Sequence, residues 1–206
     1  ICIMNMKNVK KQQSALLKKL KRKLDKERFM HTLGVAYTGA SLAMNYRVDI
    51  QKAFLAGLLH DCAKCIPNKK KLSLCRECGL AVTASEDKNP FMLHAKLGAH
   101  FASHKYGIKD KEICSAILFH TTGRPRMSML EKIIFVADYI EPGRDKAQNL
   151  EEIRTLSFWD IDAAVEKICY DTLVYLKKKK KEIDTMTRET YEYYHELNKN
   201  KNGGKP

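Results

Sequence analysis

A histidine and an aspartate, His60 and Asp61, stand side by side directly after the apolar run FLAGLL. A second aspartate, Asp138, lies in the apolar run IIFVADYI, and His31 lies upstream next to other apolar residues. A carboxylate in apolar surroundings is costly unless hydrogen bonds, a cation or a metal ion compensate for its lost hydration. The order H…HD…D therefore predicts that these four residues close a metal site.

The side chains of this set indicate which metals the site would accept. Two imidazoles and two carboxylates suit a borderline divalent metal such as iron, manganese, cobalt or zinc. His60 and Asp61 are neighbours on one turn, about 100° apart, so both can reach the same ion from a helix end. Together with the order of the residues, this chemistry suggests a metal-dependent phosphohydrolase.

The elements that must position these residues are predicted to be helices. Apolar residues recur at helical spacing, as in Leu16, Leu20 and Leu24, and few segments alternate like strands. The predicted helices cover 16–24, 29–40, 49–60, 72–80, 90–107, 111–119, 128–140, 160–181 and 187–197. Gly79 is predicted to be a C-cap, and the Pro142-Gly143 pair is predicted to end the helix that carries Asp138.

A chain of 206 residues supports one hydrophobic core, so we expect an all-α, single-domain helical bundle over 16–197. A basic, poorly ordered extension is expected over 1–15, and a disordered tail over 198–206. No apolar run approaches the roughly 18 residues that a membrane span needs. Because the first residues also lack a signal-peptide pattern, the expected location is cytoplasmic.

The net charge of +14 suits an anionic substrate, because a basic protein steers phosphates inward. The positive charge is spread along the chain, and lysines cluster in three segments: Lys7–Lys26, Lys69–Lys71 and Lys177–Lys181. We interpret these clusters as solvated helix faces and loops, and we do not expect nucleic acid as a partner.

Seven cysteines without a recognisable secretory signal favour reduced thiols. Cys62 and Cys65 form one Cys-x2-Cys pair, and Cys75 and Cys78 form another. Such pairs can hold structural zinc, but these two lie close together for a zinc ribbon. We favour small hydrophobic cysteines and keep structural zinc as the alternative.

Longer segments of the chain match a known family. The segments ERFMHTLGV, LLHDCAK, HAKLGA and FHTTGRPRMSMLEKIIFVADYIEPGR resemble the HD-domain superfamily and, more narrowly, the YqeK family of bacterial HD hydrolases. The resemblance extends from about Leu17 to Tyr194. It implies an all-helical enzyme with a bound metal, typically iron, that splits diadenosine tetraphosphate symmetrically into two ADP.

The resemblance also implies roles for individual residues. The implied metal ligands are His31, His60, Asp61 and Asp138. The implied nucleotide contacts are Arg28, His60, His94, His120, Thr121 and Arg144. Catalytic roles would fall to His94 and His120, as proton donor or phosphate contact, and to Lys64, which would point toward a phosphate.

Simpler interpretations stay open for several of these residues. Arg144 could cap the preceding helix, whose C-terminal end favours a cation. Arg28 could be an ordinary surface residue, and Thr121 could only shape a turn. Trp159 is predicted to lie in the core or in a helix-packing seam rather than to stack on a base.

Other functions also stay open. The same fold could serve a nucleotidase or phosphodiesterase for another nucleotide, or a non-catalytic nucleotide- or RNA-binding module. A zinc-binding interaction protein is a third alternative. The expected partners are the nucleotide substrate and the ADP product, without a membrane, and a homodimer is an open oligomeric state.

Overall fold

The computed structural model describes the backbone of residues 2–203 and the side chains of residues 13–201. These residues form helices and one short 3-10 turn, Pro90–Met92, without any strand, which confirms the all-α prediction. The helices are α1 (Cys2–Lys23), α2 (Lys26–Asn45), α3 (Ile50–Leu59), α4 (Asn68–Glu77), α5 (Ala84–Lys88), α6 (Leu93–His104), α7 (Lys111–Phe119), α8 (Met129–Ile140), α9 (Leu150–Trp159), α10 (Ile161–Lys178) and α11 (Thr185–Gly203).

Two of these helices, α5 and α9, are not predicted by the apolar spacing. α5 has a single turn held by a capping box between Thr83 and Glu86, and it buries no residue. α9 buries only Ile153 and Ser157, too few positions to give a visible stripe. The predicted domain boundaries at 16 and 197 fall inside α1 and α11, and the division of the chain into a domain and two flanking segments stays a prediction.

Trp159 corrects another expectation, because 84% of it is exposed. Ile153 and Ser157 are four residues apart and share the buried face of α9. Trp159 follows Ser157 by two residues, which turns it about 200° away from that face. The prediction of a core or packing-seam tryptophan is therefore wrong.

The core is organised around α2, which packs most extensively against α3 and also contacts α8. The crossing of α2 and α3 is very close at Gly57. A Cβ atom at Gly57 would lie 2.8 Å from the Cα atom of Ala36, so only glycine fits without moving a helix. This close crossing brings the helix that carries His31 next to the end of α3, where the HD pair follows.

The loop between α7 and α8 is anchored by Glu131. Its buried carboxylate accepts hydrogen bonds from Arg124 Nε at 3.0 Å and Nη2 at 2.9 Å, and it completes a capping box with Ser128. The residues His120 and Thr121 at the start of this loop are thereby held against the bundle. Among the described helices, none combines the length and apolar character needed to cross a bilayer.

Candidate metal centre

Four histidines converge on the carboxylates of Asp61 and Asp138. They come from elements that are far apart in the sequence: α2, the residues that follow α3 and α7, and the first turn of α6. Asp138 lies in the last turn of α8. The six converging side chains are His31, His60, Asp61, His94, His120 and Asp138.

One group of candidate ligands consists of His31, His60 and Asp138. The two Nε2 atoms lie 3.3 Å apart, and Asp138 Oδ1 lies 3.0 Å from His31 Nε2 and 3.8 Å from His60 Nε2. Asp61 Oδ2 approaches the same nitrogens, at 3.5 Å from His60 and 4.0 Å from His31. The fold thus brings together the four residues that the sequence predicts as metal ligands.

A second group of candidate ligands consists of His60, Asp61 and His120. Two of them, His60 and Asp61, are among the four predicted metal ligands. Asp61 Oδ1 lies 3.5 Å from His120 Nε2 and 3.3 Å from His94 Nε2, and these two nitrogens are 3.2 Å apart. Thr121 Oγ1 lies 3.2 Å from His94 Nε2 and 3.1 Å from His120 Nε2. The histidines predicted to contact nucleotide therefore face the same aspartate as the predicted metal ligands.

Each of the four imidazole rings is oriented through its other nitrogen. Nδ1 of His60, His94 and His120 lies 2.6, 2.7 and 2.7 Å from the carbonyl oxygen three residues earlier. Nδ1 of His31 lies 3.0 Å from Glu141 Oε1. Because these oxygens only accept hydrogen bonds, we assign the proton to Nδ1 and, in a neutral ring, the lone pair to Nε2. Outer hydrogen bonds of this kind orient histidine ligands in metal sites.

This donor set fits a bound cation. Asp61 Oδ1 is buried and has no hydrogen-bond partner among the described residues, which is costly for a carboxylate oxygen. The Nε2 atoms of His94 and His120 lie 3.2 Å apart, and those of His31 and His60 lie 3.3 Å apart. Two lone pairs that face each other at such a distance repel unless positive charge lies between them. An ion that accepts nitrogen and oxygen ligands would relieve both costs.

Three cations also lie against the two aspartates. Arg28 Nη1 donates to Asp61 Oδ2 and Arg144 Nη2 to Asp138 Oδ1, each at 2.9 Å, while Lys64 Nζ lies 3.5 Å from Asp61 Oδ1. Burial acts to raise the pKa of both carboxyl groups. Positive charge on the adjacent histidines, present when a proton rather than a metal ion occupies Nε2, together with Lys64 beside Asp61 and Arg144 beside Asp138, holds both pKa values well below the usual range. Both aspartates are therefore ionised. Asp138 keeps 22% of its side chain exposed, so it is less buried than its apolar run predicts.

His94 is a weak candidate for the proton donor suggested by the sequence. Burial, and then the nearby charge of Lys64, hold the pKa of His94 well below its ordinary value, so the ring is neutral near pH 7. Lys64 Nζ lies 2.9 Å from His94 Nε2 and donates to it. The arrangement favours His94 as a lone-pair donor and Lys64 as the positive charge on this side of the centre.

Glu141 supports the centre but receives no role from the sequence analysis. Its buried carboxylate binds His31 through Oε1 and accepts a hydrogen bond from the Gly143 amide through Oε2 at 2.6 Å. Glu141 begins the segment EPGR, which is part of the family resemblance. The feature of the sequence that could have indicated its role is an acidic residue two positions before a glycine.

Lys71 corrects the interpretation of the cluster Lys69–Lys71 as a solvated face. Lys69 and Lys70 are exposed, but Lys71 is only 2% exposed, and it donates to Asn68 Oδ1 at 3.1 Å. Its Nζ lies 5.7 Å from the centre of the Phe91 ring, and that of Lys64 lies 4.4 Å from the same ring. A buried lysine thus lies close to the positive side of the centre.

The cysteines do not form a metal site in the part of the chain that the structure describes. Both candidate metal groups there consist of histidine and aspartate. Cys62 and Cys75 are buried, as expected for small hydrophobic residues, and Cys62 Sγ donates to the Gly98 carbonyl at 3.7 Å. Cys65 is exposed, and its Sγ lies 3.3 Å from Asp25 Oδ2. The structural zinc alternative is not supported.

A cavity of about 1080 Å³ opens beside the centre. Arg28, His31, Glu141 and Arg144 belong both to the centre and to the cavity wall. Arg28 and Arg144, predicted to contact nucleotide, are therefore accessible from the cavity. Their simpler interpretations, a surface residue and a helix cap, do not account for their bonds to the two aspartates.

The fold and the site together define a helical protein built around a histidine–aspartate metal centre. A model of the HD domain family matches residues 28–143, which contain all six converging side chains. The chain belongs to the HD domain family.

Similar proteins agree with this assignment. The chain is 40% identical to the symmetrical bis(5'-nucleosyl)-tetraphosphatase of Halalkalibacterium halodurans over 179 residues, which cover 85% of this chain and 92% of the relative. It is 38% identical to the protein of the same name from Bacillus subtilis over 175 residues, 84% of this chain and 92% of the relative. The crystal structure of a predicted HD superfamily hydrolase involved in NAD metabolism from Clostridium acetobutylicum superposes with a TM-score of 0.87 at 36% identity, covering 90% of this chain and 97% of the other. The resemblance inferred from the sequence is confirmed.

Proposed function

We propose that this protein is a metal-dependent hydrolase that cleaves diadenosine tetraphosphate symmetrically into two ADP. The observation that carries the proposal is the convergence of the Nε2 atoms of four histidines on two ionised carboxylates, one of which has a buried oxygen without a hydrogen-bond partner among the described residues. The substrate is supported by relatives that match over 92% of their length and are named symmetrical bis(5'-nucleosyl)-tetraphosphatases.

The proposed metal ligands are His31, His60, Asp61 and Asp138, with His120 as a further ligand from the second group. Iron is the proposed metal, with manganese, cobalt and zinc as alternatives that suit the same nitrogen and oxygen donors. A divalent metal bound there would lower the pKa of a water molecule and polarise a phosphoryl oxygen. The oligomeric state, including a homodimer, stays a prediction.

The surrounding cations suit the charge that develops during cleavage. Water attacks the second phosphorus atom, the bond to the oxygen bridging the second and third phosphates breaks, and that oxygen leaves with one ADP. Arg28 and Arg144 reach both an aspartate and the cavity, and a guanidinium has enough donors to bind a carboxylate and a phosphate together. Because ADP leaves as an anion, a cation such as Lys64 can stabilise it without a proton donor.

The products of the reaction test this proposal. The protein would be incubated with diadenosine tetraphosphate as purified, after treatment with a chelator, and after iron or manganese is restored. We expect ADP as the sole nucleotide product, lost with the metal and regained with it. Equal amounts of ATP and AMP would show asymmetrical cleavage, and tight binding without any product would indicate a non-catalytic nucleotide-binding module; either result would overturn the proposal.

A further inference from the structure

The loop between α7 and α8, residues 120–128, contributes two side chains to the metal centre and ends at the N-cap of α8. His120 Nε2 lies 3.5 Å from Asp61 Oδ1, and Thr121 Oγ1 lies 3.2 Å from His94 Nε2. Asp61 and His94 belong to other elements, so a shift of the loop would change both distances. The geometry of the centre therefore depends on what holds this loop in place.

The C-terminal helix α11 holds the beginning of loop 120–128 through Thr190, which is fully buried. The hydroxyl of Thr190 lies 3.0 Å from the Thr122 carbonyl oxygen and 2.7 Å from the Met186 carbonyl oxygen of its own helix, so its single proton is shared between two acceptors. A Cβ atom at Gly123, where φ is +64°, would lie 2.7 Å from Thr190 Cγ2. Thr190 therefore contacts the loop through its hydroxyl and its methyl group, two and three residues after His120.

The same helix holds the end of the loop through Tyr194, which is also fully buried. The buried Met127 amide donates to the Tyr194 hydroxyl at 3.1 Å. A buried amide needs such a partner, because leaving it unpaired costs about as much as losing a hydrogen bond. Thr190 and Tyr194 are four residues apart and lie on one face of α11. This face therefore contacts both ends of the loop, while Glu131 holds its middle.

These contacts come from outside the part of the chain that matches the family model. The HD domain model matches residues 28–143, whereas α11 begins at Thr185. The six side chains of the centre belong to the matched region, but Thr190 and Tyr194 do not. Neither residue is among the candidate metal ligands or in the wall of the cavity beside the centre. Any influence that they have on the reaction must therefore act through the loop.

We propose that Thr190 and Tyr194 are positioning residues for the hydrolysis. By holding the backbone of loop 120–128, they keep His120 and Thr121 in place within the centre. Reacting groups must be placed precisely, since a displacement of about 1 Å can cost about a hundredfold in rate. This inference rests on the proposed function, because it concerns the rate of the same reaction.

Two substitutions remove the proposed contacts while nearly keeping the size of the side chain, and α11 offers a control for each. Thr190→Val removes one hydroxyl, and Tyr194→Phe removes the other. Thr187 is also buried on α11, and Tyr193 packs edge-on against Tyr194 with 5.1 Å between ring centres. Among the described residues, the hydrogen bonds between α11 and the loop involve Thr190 and Tyr194 rather than these two neighbours. Thr187→Val and Tyr193→Phe should therefore leave the loop in place.

The first measurement is steady-state hydrolysis of diadenosine tetraphosphate by the metal-loaded proteins. We expect Thr190→Val and Tyr194→Phe each to lower kcat about tenfold and to change KM by less than about twofold, because the loop positions reacting groups rather than the cavity wall. Thr190→Ser, which keeps the hydroxyl, should retain most of the wild-type kcat, as should both controls.

The second measurement observes the imidazole rings by NMR of the zinc-loaded proteins, which are diamagnetic. We expect the ring signals of His120 to shift in Thr190→Val and Tyr194→Phe but to stay at their wild-type positions in Thr187→Val and Tyr193→Phe. This readout reports the position of the ring without depending on activity.

Unchanged kcat in Thr190→Val and Tyr194→Phe would overturn the inference, even if both variants melted at a lower temperature, because the contacts would then serve stability alone. An equal loss of kcat in the controls, or a higher KM at unchanged kcat, would overturn it as well. If the wild type does not cleave the substrate, the proposed function is wrong, and the ring signals of His120 alone decide whether α11 holds this histidine in place.

Discussion

The metal centre and the cavity beside it share a wall but are built in different ways. In the centre, His60, His94 and His120 are buried, and each ring has a second hydrogen bond that fixes its orientation. In the cavity, Tyr37 and Tyr175 are 63% and 44% exposed. Metal ligands need orientation within a fraction of an ångström, whereas recognition of a base and its phosphates tolerates looser side chains. Substitutions should therefore have large effects in the centre and moderate effects around it.

The largest effect is expected from Asp138→Asn, which keeps the size of the side chain but removes its charge. Asp138 lies 3.0 Å from His31 Nε2 and belongs to the first ligand group. We expect loss of bound metal and at least about a thousandfold lower turnover. Elemental analysis and ADP release measure the two effects. The exposed residue Asp87 gives a control, Asp87→Asn, and equal metal content in both variants would contradict the assignment of the centre.

A smaller effect is expected from Glu141→Gln, because Glu141 orients a ligand without being one. The substitution removes the charge behind His31 Nδ1 and should lower metal affinity about 10- to 100-fold. Competition with a coloured chelator measures this affinity. Glu151→Gln, at an exposed position of α9, should leave it unchanged. Metal affinity equal to that of the wild type would mean that the histidine is held by packing alone.

Lys71 and Lys70 offer the mildest comparison, since they are adjacent but differ in burial. Burial and the nearby Lys64 lower the pKa of Lys71, which has no carboxylate within ion-pair distance in the part of the chain described. A buried cation near the centre should favour phosphate, so Lys71→Met should raise KM for diadenosine tetraphosphate about tenfold. Lys70→Met should not change it. A more stable Lys71→Met protein with unchanged KM would show that the charge has no role in binding.

Much of the centre could be predicted because its residues are costly in their sequence context. An HD pair after FLAGLL and an aspartate within IIFVADYI place charged groups in apolar surroundings, where few arrangements other than a metal site offset the cost of lost hydration. Apolar spacing revealed the helices that carry these residues. Glu141 and Lys71 could not be found in this way. Their importance comes from contacts with His31, 110 residues away, and with the Phe91 ring, and such contacts depend on the crossing of helices rather than on local pattern.

Anomalous diffraction would locate the metal ion of the proposed centre. Crystals of the protein loaded with iron or manganese would be measured at the absorption edge of the metal to locate the ion. We expect a strong peak within about 2.0–2.2 Å of His31 Nε2 and His60 Nε2, with oxygens of Asp61 and Asp138 at similar distances. A strongest peak elsewhere, for example at the cysteines, or the absence of any peak among these four residues, would contradict the assignment of the metal centre.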